Sequence, residues 1–233
     1  MCKCPLVGDV RTKQGLTTTQ PKMGAQLAQN EFIGIFDMND RFSGISLWLM
    51  PPQKERNALR KVIDNIAEEQ HSDTFEPHIT LASLSPGTST EGWMDIITAQ
   101  LQHHAPILAT LNKVRTGTTF FHSVFADIQW DKQLLVFRDD IVASITQGRV
   151  PDPRLQPDWC PHISLFYGSP SHEEREGIIK DLEGTGVVQQ DEETCTVTKI
   201  QRFEANEVWI VQTDGHVKEW KVLDKAIVLV AAC

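Results

Sequence analysis

The sequence lacks an apolar run of the roughly 18 residues that a membrane-spanning helix needs, and its start lacks the apolar stretch of a secretion signal. Both absences argue against membrane spanning and export. Its 5 cysteines, Cys2, Cys4, Cys160, Cys195 and Cys233, are odd in number and show no paired metal-ligand spacing. A disulfide framework and a zinc knuckle are therefore not expected, and free thiols in an intracellular, cytoplasmic compartment are. Cys2 and Cys4 could accept acyl chains, which leaves endomembrane association open, and the nearly acid-free start has a faint transit-peptide look.

Positive charge is also scarce: 22 Lys and Arg stand against 31 Asp and Glu, for a net charge of -9. A protein that neutralises many phosphates along a nucleic acid needs the opposite balance. Long nucleic acid is an unlikely partner on this ground, while a small anion held by a few local donors fits.

What the chain has is a core-forming composition, 40% hydrophobic over 233 residues, and a repeated order of elements. Residues 1–42 sustain no helical or strand period until Phe32 to Phe36 and read as a mostly disordered extension ahead of one domain over residues 43–233. Ile45 to Met50 reads as a strand stopped by Pro51-Pro52, and Leu59, Val62, Ile63 and Ile66 recur at helical spacing. PHITLASL is a second strand, and Trp93, Ile97 and Leu101 mark a second helix. Two further strands, from Ile107 and from His122, are expected to turn at Thr116-Gly117. The order then restarts. A helix over Leu134 to Ile145, the strand HISLFYG, and a helix opened by a capping box at Ser171 and Glu174 come before the closing strands, Thr194 to Phe203, Glu207 to Val211 and Trp220 to Val230.

The repeat has a chemical centre. PHITL at Pro77 to Leu81 returns as PHISL at Pro161 to Leu165. On a strand, residues two apart share a face, so His78 projects with Thr80 and His162 with Ser164, while Ile79, Leu81, Ile163 and Leu165 turn the other way. At ordinary residue frequencies the five-residue pattern arises twice by chance on the order of once in a million sequences. Two imidazoles with ordinary values near 6.5 can divide base and acid duty at neutral pH, and neighbouring hydroxyls can donate to phosphate oxygens. No metal or other cofactor is called for.

These residues resemble the two-histidine phosphoesterase superfamily, marked by two HxTx or HxSx motifs. SLWLMPP, FEPHITLASL and PHISLFYG are together similar to its fungal and plant cyclic phosphodiesterase branch. The resemblance, which covers roughly Ser43 onward, implies an α+β fold of two pseudo-symmetric lobes. Each lobe would be an antiparallel sheet with helices outside and the active-site cleft between the lobes. It implies an enzyme that opens ADP-ribose 1'',2''-cyclic phosphate and nucleoside 2',3'-cyclic phosphates in the aftermath of tRNA splicing, acting as a monomer on small molecules. By the same resemblance His78 and His162 are acid and base, Thr80 and Ser164 hold phosphate, and Tyr167 and Trp48 meet the substrate. Strand parity puts Phe166 rather than Tyr167 on the His162 face, so Tyr167 reaches the cleft only if the chain turns or bulges before Gly168.

Phe75 is a weaker contact candidate, and Arg149 and Arg154 could reach a diphosphate. His103-His104 reads as a solvated face, Cys160 as a buried small residue, and His71, His122, His172 and His216 have no partner pattern. Two other classes share the motif pair: a nucleotide-binding module without turnover, and an RNA-end processing enzyme, which the acidic charge disfavours.

Overall fold

The computed structural model describes residues 35–37, 41–147 and 159–229; Arg149 and Arg154 lie outside them, as does most of the stretch ahead of residue 43. A short hairpin of β1 (Ile35–Asp37) and β2 (Arg41–Ser43) leads into β3 (Ile45–Met50), which is buried along its whole length. Pro51 and Pro52 cannot continue a ladder, and helix α1 (Gln53–Gln70) follows. It buries Leu59, Val62, Ile63 and Ile66 on one side and stops at His71, whose φ of 52° is left-handed. Strand β4 (Ile79–Leu84), helix α2 (Trp93–His104) and the hairpin of β5 (Ile107–Thr119) and β6 (His122–Ile128) come next.

Helix α3 (Lys132–Thr146) starts where the Asp131 carboxylate accepts from the N–H groups of Gln133 and Leu134. After β7 (His162–Phe166), the capping box of Ser171 and Glu174 opens α4 (His172–Gly184) as its residue spacing predicts. Strands β8 (Val188–Gln190), β9 (Cys195–Val197), β10 (Arg202–Ala205), β11 (Glu207–Gln212) and β12 (Lys221–Ile227) complete the described chain. Among the described residues no helix is long and apolar enough to cross a membrane.

Eight strands form one antiparallel sheet in the order β10-β5-β6-β7-β4-β3-β11-β12. Its two halves match: β7, β6, β5 and β10 run outward on one side of the centre as β4, β3, β11 and β12 do on the other. The two lobes are thus halves of a continuous sheet, joined where Ile79 of β4 pairs with Ile163 of β7. The helices reinforce that seam crosswise, α1 packing against β7 and α3 against β4. One apolar core, from Ile79 and Ile163 through Phe137 of α3 to Ile178 of α4, fills the space between sheet and helices.

The hairpin expected at Thr116-Gly117 turns later, at Phe120 and Phe121, and β5 runs through Gly117 to Thr119. Glycine is there for close approach and not for a turn: a Cβ at Gly117 would sit 1.9 Å from the His122 carbonyl oxygen. The segment expected as one strand from Thr194 to Phe203 is likewise broken. Thr198 and Lys199 take left-handed φ values of 51° and 69° between β9 and β10.

Ile79 and Ile163 are both fully buried at the single described pairing between the halves. Ile163→Ala should lower the free energy of unfolding by about 2–5 kcal/mol, read from urea denaturation, and a loss below about 1 kcal/mol would mean the seam is not where the halves are held.

Candidate active site

The seam fixes where the motif side chains go. Counting outward from the antiparallel pair Ile79–Ile163 sets His78 opposite Ser164 and Thr80 opposite His162. All four side chains therefore leave the same face of the sheet, around a local two-fold axis, while the paired isoleucines enter the core. The charge of His162 is felt at His78, as this shared face requires.

Each imidazole is oriented in the same way. Nδ1 of His78 lies 2.6 Å from the Glu76 carbonyl oxygen, and Nδ1 of His162 lies 2.8 Å from that of Cys160. A carbonyl only accepts, so Nδ1 carries the proton in both rings and Nε2 is left for chemistry. The proline between carbonyl and histidine serves this contact. Pro77 and Pro161 have a fixed φ and hold the preceding residue extended, which turns its carbonyl back toward the ring two positions on.

Both motifs are followed by a bulge. Trp48 pairs with Thr80 but Leu47 with Ala82, and Phe125 pairs with Ser164 but Val124 with Phe166. In each case the histidine strand carries one extra residue. The bulge reverses the parity beyond it, so Phe166 turns into the core and Tyr167 onto the site face. There the Tyr167 ring stacks on Phe75 with centroids 3.7 Å apart, and its hydroxyl is hydrogen-bonded to Ser164. In β4 the Trp159 indole donates to the Thr80 carbonyl at 3.0 Å and the buried Arg138 to that of Leu81 at 3.2 Å, which satisfies the bulged backbone.

The two halves part company in what flanks the histidines. Trp48 stacks face to face on His78, with centroids 3.7 Å and planes 8° apart. Across the axis, Phe125 holds the position equivalent to Trp48 but meets His162 edge-on at 5.4 Å. Asp127 pairs directly with His162, and its carboxylate is held by Arg115 at 2.6 Å. The His122 ring stacks on Phe125 at 3.6 Å and lies 4.4 Å from His162. Phe120, Phe121 and Trp220 close the face around Tyr167, and Ser164 donates to the Phe121 carbonyl at 3.1 Å.

Burial sets the electrostatics. It lowers His78 from 6.5 to about 3, against the Glu76 bond and with the help of the His162 charge. His122 falls to about 3 through burial and then the His162 charge, and His162 is lowered by burial against its Cys160 bond. Burial raises Asp127, opposed by Arg115, and raises the Tyr167 hydroxyl. The resting site thus holds neutral imidazoles with free Nε2 atoms beside hydroxyl groups. That arrangement can accept a proton on one side of a bound phosphate and deliver one on the other.

Every expected site residue, His78, His162, Thr80, Ser164, Tyr167 and Trp48, lies in this cluster, with Phe75 behind Tyr167. His122 was passed over because HSV is not a motif. Asp127 had a signal: Ser123, Phe125 and Asp127 alternate with the apolar Val124, Ala126 and Ile128 along β6. Two other readings are corrected. His104 is not solvated, since its ring bonds to Asp140 at 3.0 Å and packs on Phe137, and Cys160 is only half-buried. A cavity of about 570 Å³ lined by Asp214, Lys218 and Trp220 touches the site only through Trp220, so motif geometry and not cavity size locates it. Among the described residues no group of three His, Cys, Asp or Glu is placed to hold a metal.

Comparison with known proteins gives the chain a family. The family of cyclic phosphodiesterase-like proteins matches residues 43–228. A 2',3'-cyclic-nucleotide 3'-phosphodiesterase of Yarrowia lipolytica is 28% identical over 220 residues, covering 77% of this chain and 97% of the relative. A cyclic phosphodiesterase of Arabidopsis thaliana is 23% identical over 130 residues, covering 56% of this chain and 68% of its own. Among solved structures, E. coli LigT in apo form aligns over 81% of this chain and 98% of its own at 10% identity, with a TM-score of 0.47.

The depressed histidines make stability depend on pH. Below pH 6.5 the unfolded chain takes up protons that folded His78 and His122 refuse until about pH 3, so stability should fall as pH drops through that window. His78→Phe removes one such group and should flatten the decline by at most about 1.4 kcal/mol per pH unit, read from urea midpoints at stepped pH. Equal slopes in the two proteins would show that His78 is not buried neutral.

Proposed function

The chain belongs to the family of cyclic phosphodiesterase-like proteins and hydrolyses cyclic phosphodiesters, and we propose that it does so by metal-independent attack of water with His78 and His162 as base and acid. The observation that carries this reading is the seam: it sets two Nε2 atoms, two hydroxyls and no other charged motif group around one local axis. A ribose cyclic phosphate fits such an axis because its reaction is itself in line, with water entering opposite the ester oxygen that leaves. One Nε2 takes the proton from water as the new P–O bond forms. The other ring, protonated, gives its Nε2 proton to the departing ribose oxygen as the old P–O bond breaks.

Thr80 and Ser164 hold the non-bridging oxygens in this reading, and the Ser164 proton swings from the Phe121 carbonyl to the phosphate when substrate enters. Tyr167 and Trp48 line the pocket, with Trp48 also bracing His78. The substrates proposed are nucleoside 2',3'-cyclic phosphates, opened to 2'-phosphates as the names of the fungal relatives describe, and ADP-ribose 1'',2''-cyclic phosphate, opened to its 1''-phosphate. In this reading both are opened in the aftermath of tRNA splicing, and the net charge of -9 favours them over oligonucleotides. Residues 43–233 act as one bilobal unit in this reading.

His78→Ala and His162→Ala should each reduce kcat on a 2',3'-cyclic mononucleotide by about 10²–10⁴-fold with melting temperature kept, and EDTA should leave the wild-type rate unchanged. Near-normal turnover in either variant would remove the two-histidine mechanism, and loss of activity on chelation would reveal a metal.

A further inference from the structure

The catalytic centre is close to two-fold symmetric, and a 2',3'-cyclic phosphate offers two ester oxygens on one phosphorus. His78 opposite Ser164 and His162 opposite Thr80 are chemically the same pair twice, each with the same bulge and the same Nδ1 restraint. Such a centre has no means of preferring one ester bond. A single product therefore demands an asymmetric flank, and the structure has one.

On the His78 side the neighbours are mostly apolar rings and chains: Trp48 on its face, Met50 and Trp209 beyond it in one cluster, and Trp220 edge-on to Trp48 at 5.7 Å, its buried Nε1 without a hydrogen-bond partner among the described residues. On the His162 side they are polar and only partly used. The Nε2 atom of His122 is buried without a hydrogen-bond partner among the described residues, and so is Oδ1 of Asp127. Buried polar atoms are nearly always paired, so two orphans beside one catalytic ring mark a place where something else bonds. His122 is held there firmly, stacked on Phe125 and 4.4 Å from the His162 ring. Its counterpart across the axis, counted back from Trp48 as His122 is from Phe125, is Ile45, a core residue. Nothing about the repeated fold requires an imidazole here.

We propose that His122 orients the substrate: its Nε2 bonds a ribose oxygen on the His162 side of the cyclic phosphate and so decides which of the two ester bonds opens. The inference rests on the cyclic nucleotide reading given above. The two ribose oxygens of the cyclic ester carry no proton and only accept, so His122 serves in the tautomer with its proton on Nε2 and donates to one of them. With burial and the His162 charge holding it neutral at working pH, His122 does not compete as an acid. Placing the ribose on this side also divides the labour. His162 gives its Nε2 proton to the leaving ribose oxygen, and His78 takes one from the water entering opposite.

The test uses 2',3'-cyclic AMP, with the 2'- and 3'-phosphate products separated by chromatography. Wild type should give a single isomer. His122→Phe keeps the stack on Phe125 but loses the hydrogen bond. It should lower kcat/KM about 10-fold, a change of about 1.4 kcal/mol, and yield the other isomer as roughly a tenth or more of product. His122→Asn, which retains a hydrogen-bonding group, should fall between. Wild-type kcat/KM and product ratio in both variants, or a mixture already in wild type, would overturn the inference while leaving the cyclic nucleotide reading intact. Loss of folding in both variants would assign His122 to packing instead, and no turnover by wild type would remove both readings together.

Discussion

Everything at the active face depends on one pairing between two buried isoleucines. Ile79 and Ile163 meet where β4 and β7 run antiparallel, and they are the point about which the halves of the sheet repeat. Antiparallel register has a side-chain period of two, so a slip of one residue would send His78 and Thr80 into the core and bring Leu81 to the surface. The apolar half of each motif is thus what aims the chemical half. PHITL and PHISL need Ile and Leu as much as they need His and the hydroxyl, because burying the former in the core is what turns the latter onto the opposite face of the sheet.

Orientation of the rings is a second, separate constraint, supplied by backbone and not by partner side chains. Many catalytic histidines are steered by a carboxylate; here the carbonyls of Glu76 and Cys160 do it, made available by the prolines that follow them. A carbonyl fixes the tautomer without adding a full negative charge. That leaves burial free to depress the imidazoles, which a carboxylate at Nδ1 would oppose. The two bulges complete the design. They end the strict alternation just after the hydroxyl, and the half that ends in Phe166-Tyr167-Gly168 uses the reversal to deliver a phenol to Ser164.

How much of this the sequence discloses follows from what is local and what is not. The duplicated motif, the helix caps and the order of elements are local, and they lead to the face shared by His78, Thr80, His162 and Ser164. Alternation alone points Phe166 at the site, and only the bulge brings Tyr167 to that face. The turn after β5 was misplaced since Thr-Gly looks the same whether glycine bends the chain or lets a carbonyl pass within 1.9 Å of where a Cβ would be. His122 and Asp127 belong to the site through register with another strand, which no single stretch contains. His104 was read as solvated because its partner Asp140 is 36 residues away on another helix.

The charge state of the resting site bears on how an acidic protein can bind an anion at all. With a net charge of -9 the surroundings repel phosphate, and among the described residues the cation beside the centre, Arg115, is already committed to Asp127. The imidazoles are neutral because burial makes an uncompensated charge costly. An entering phosphate diester carries a single negative charge, which compensates one imidazolium, so binding the anion and acquiring a proton favour one another through the same Coulomb term. In the mechanism proposed above, the acid is therefore created by the substrate it will act on. Before substrate arrives the enclosed aromatic face stores no charge, and after hydrolysis the proton taken from water stands on one ring while the other has given its own away. The centre returns to its starting state once product leaves and that single proton is exchanged, with the total charge inside the sheet never exceeding what one phosphate can balance.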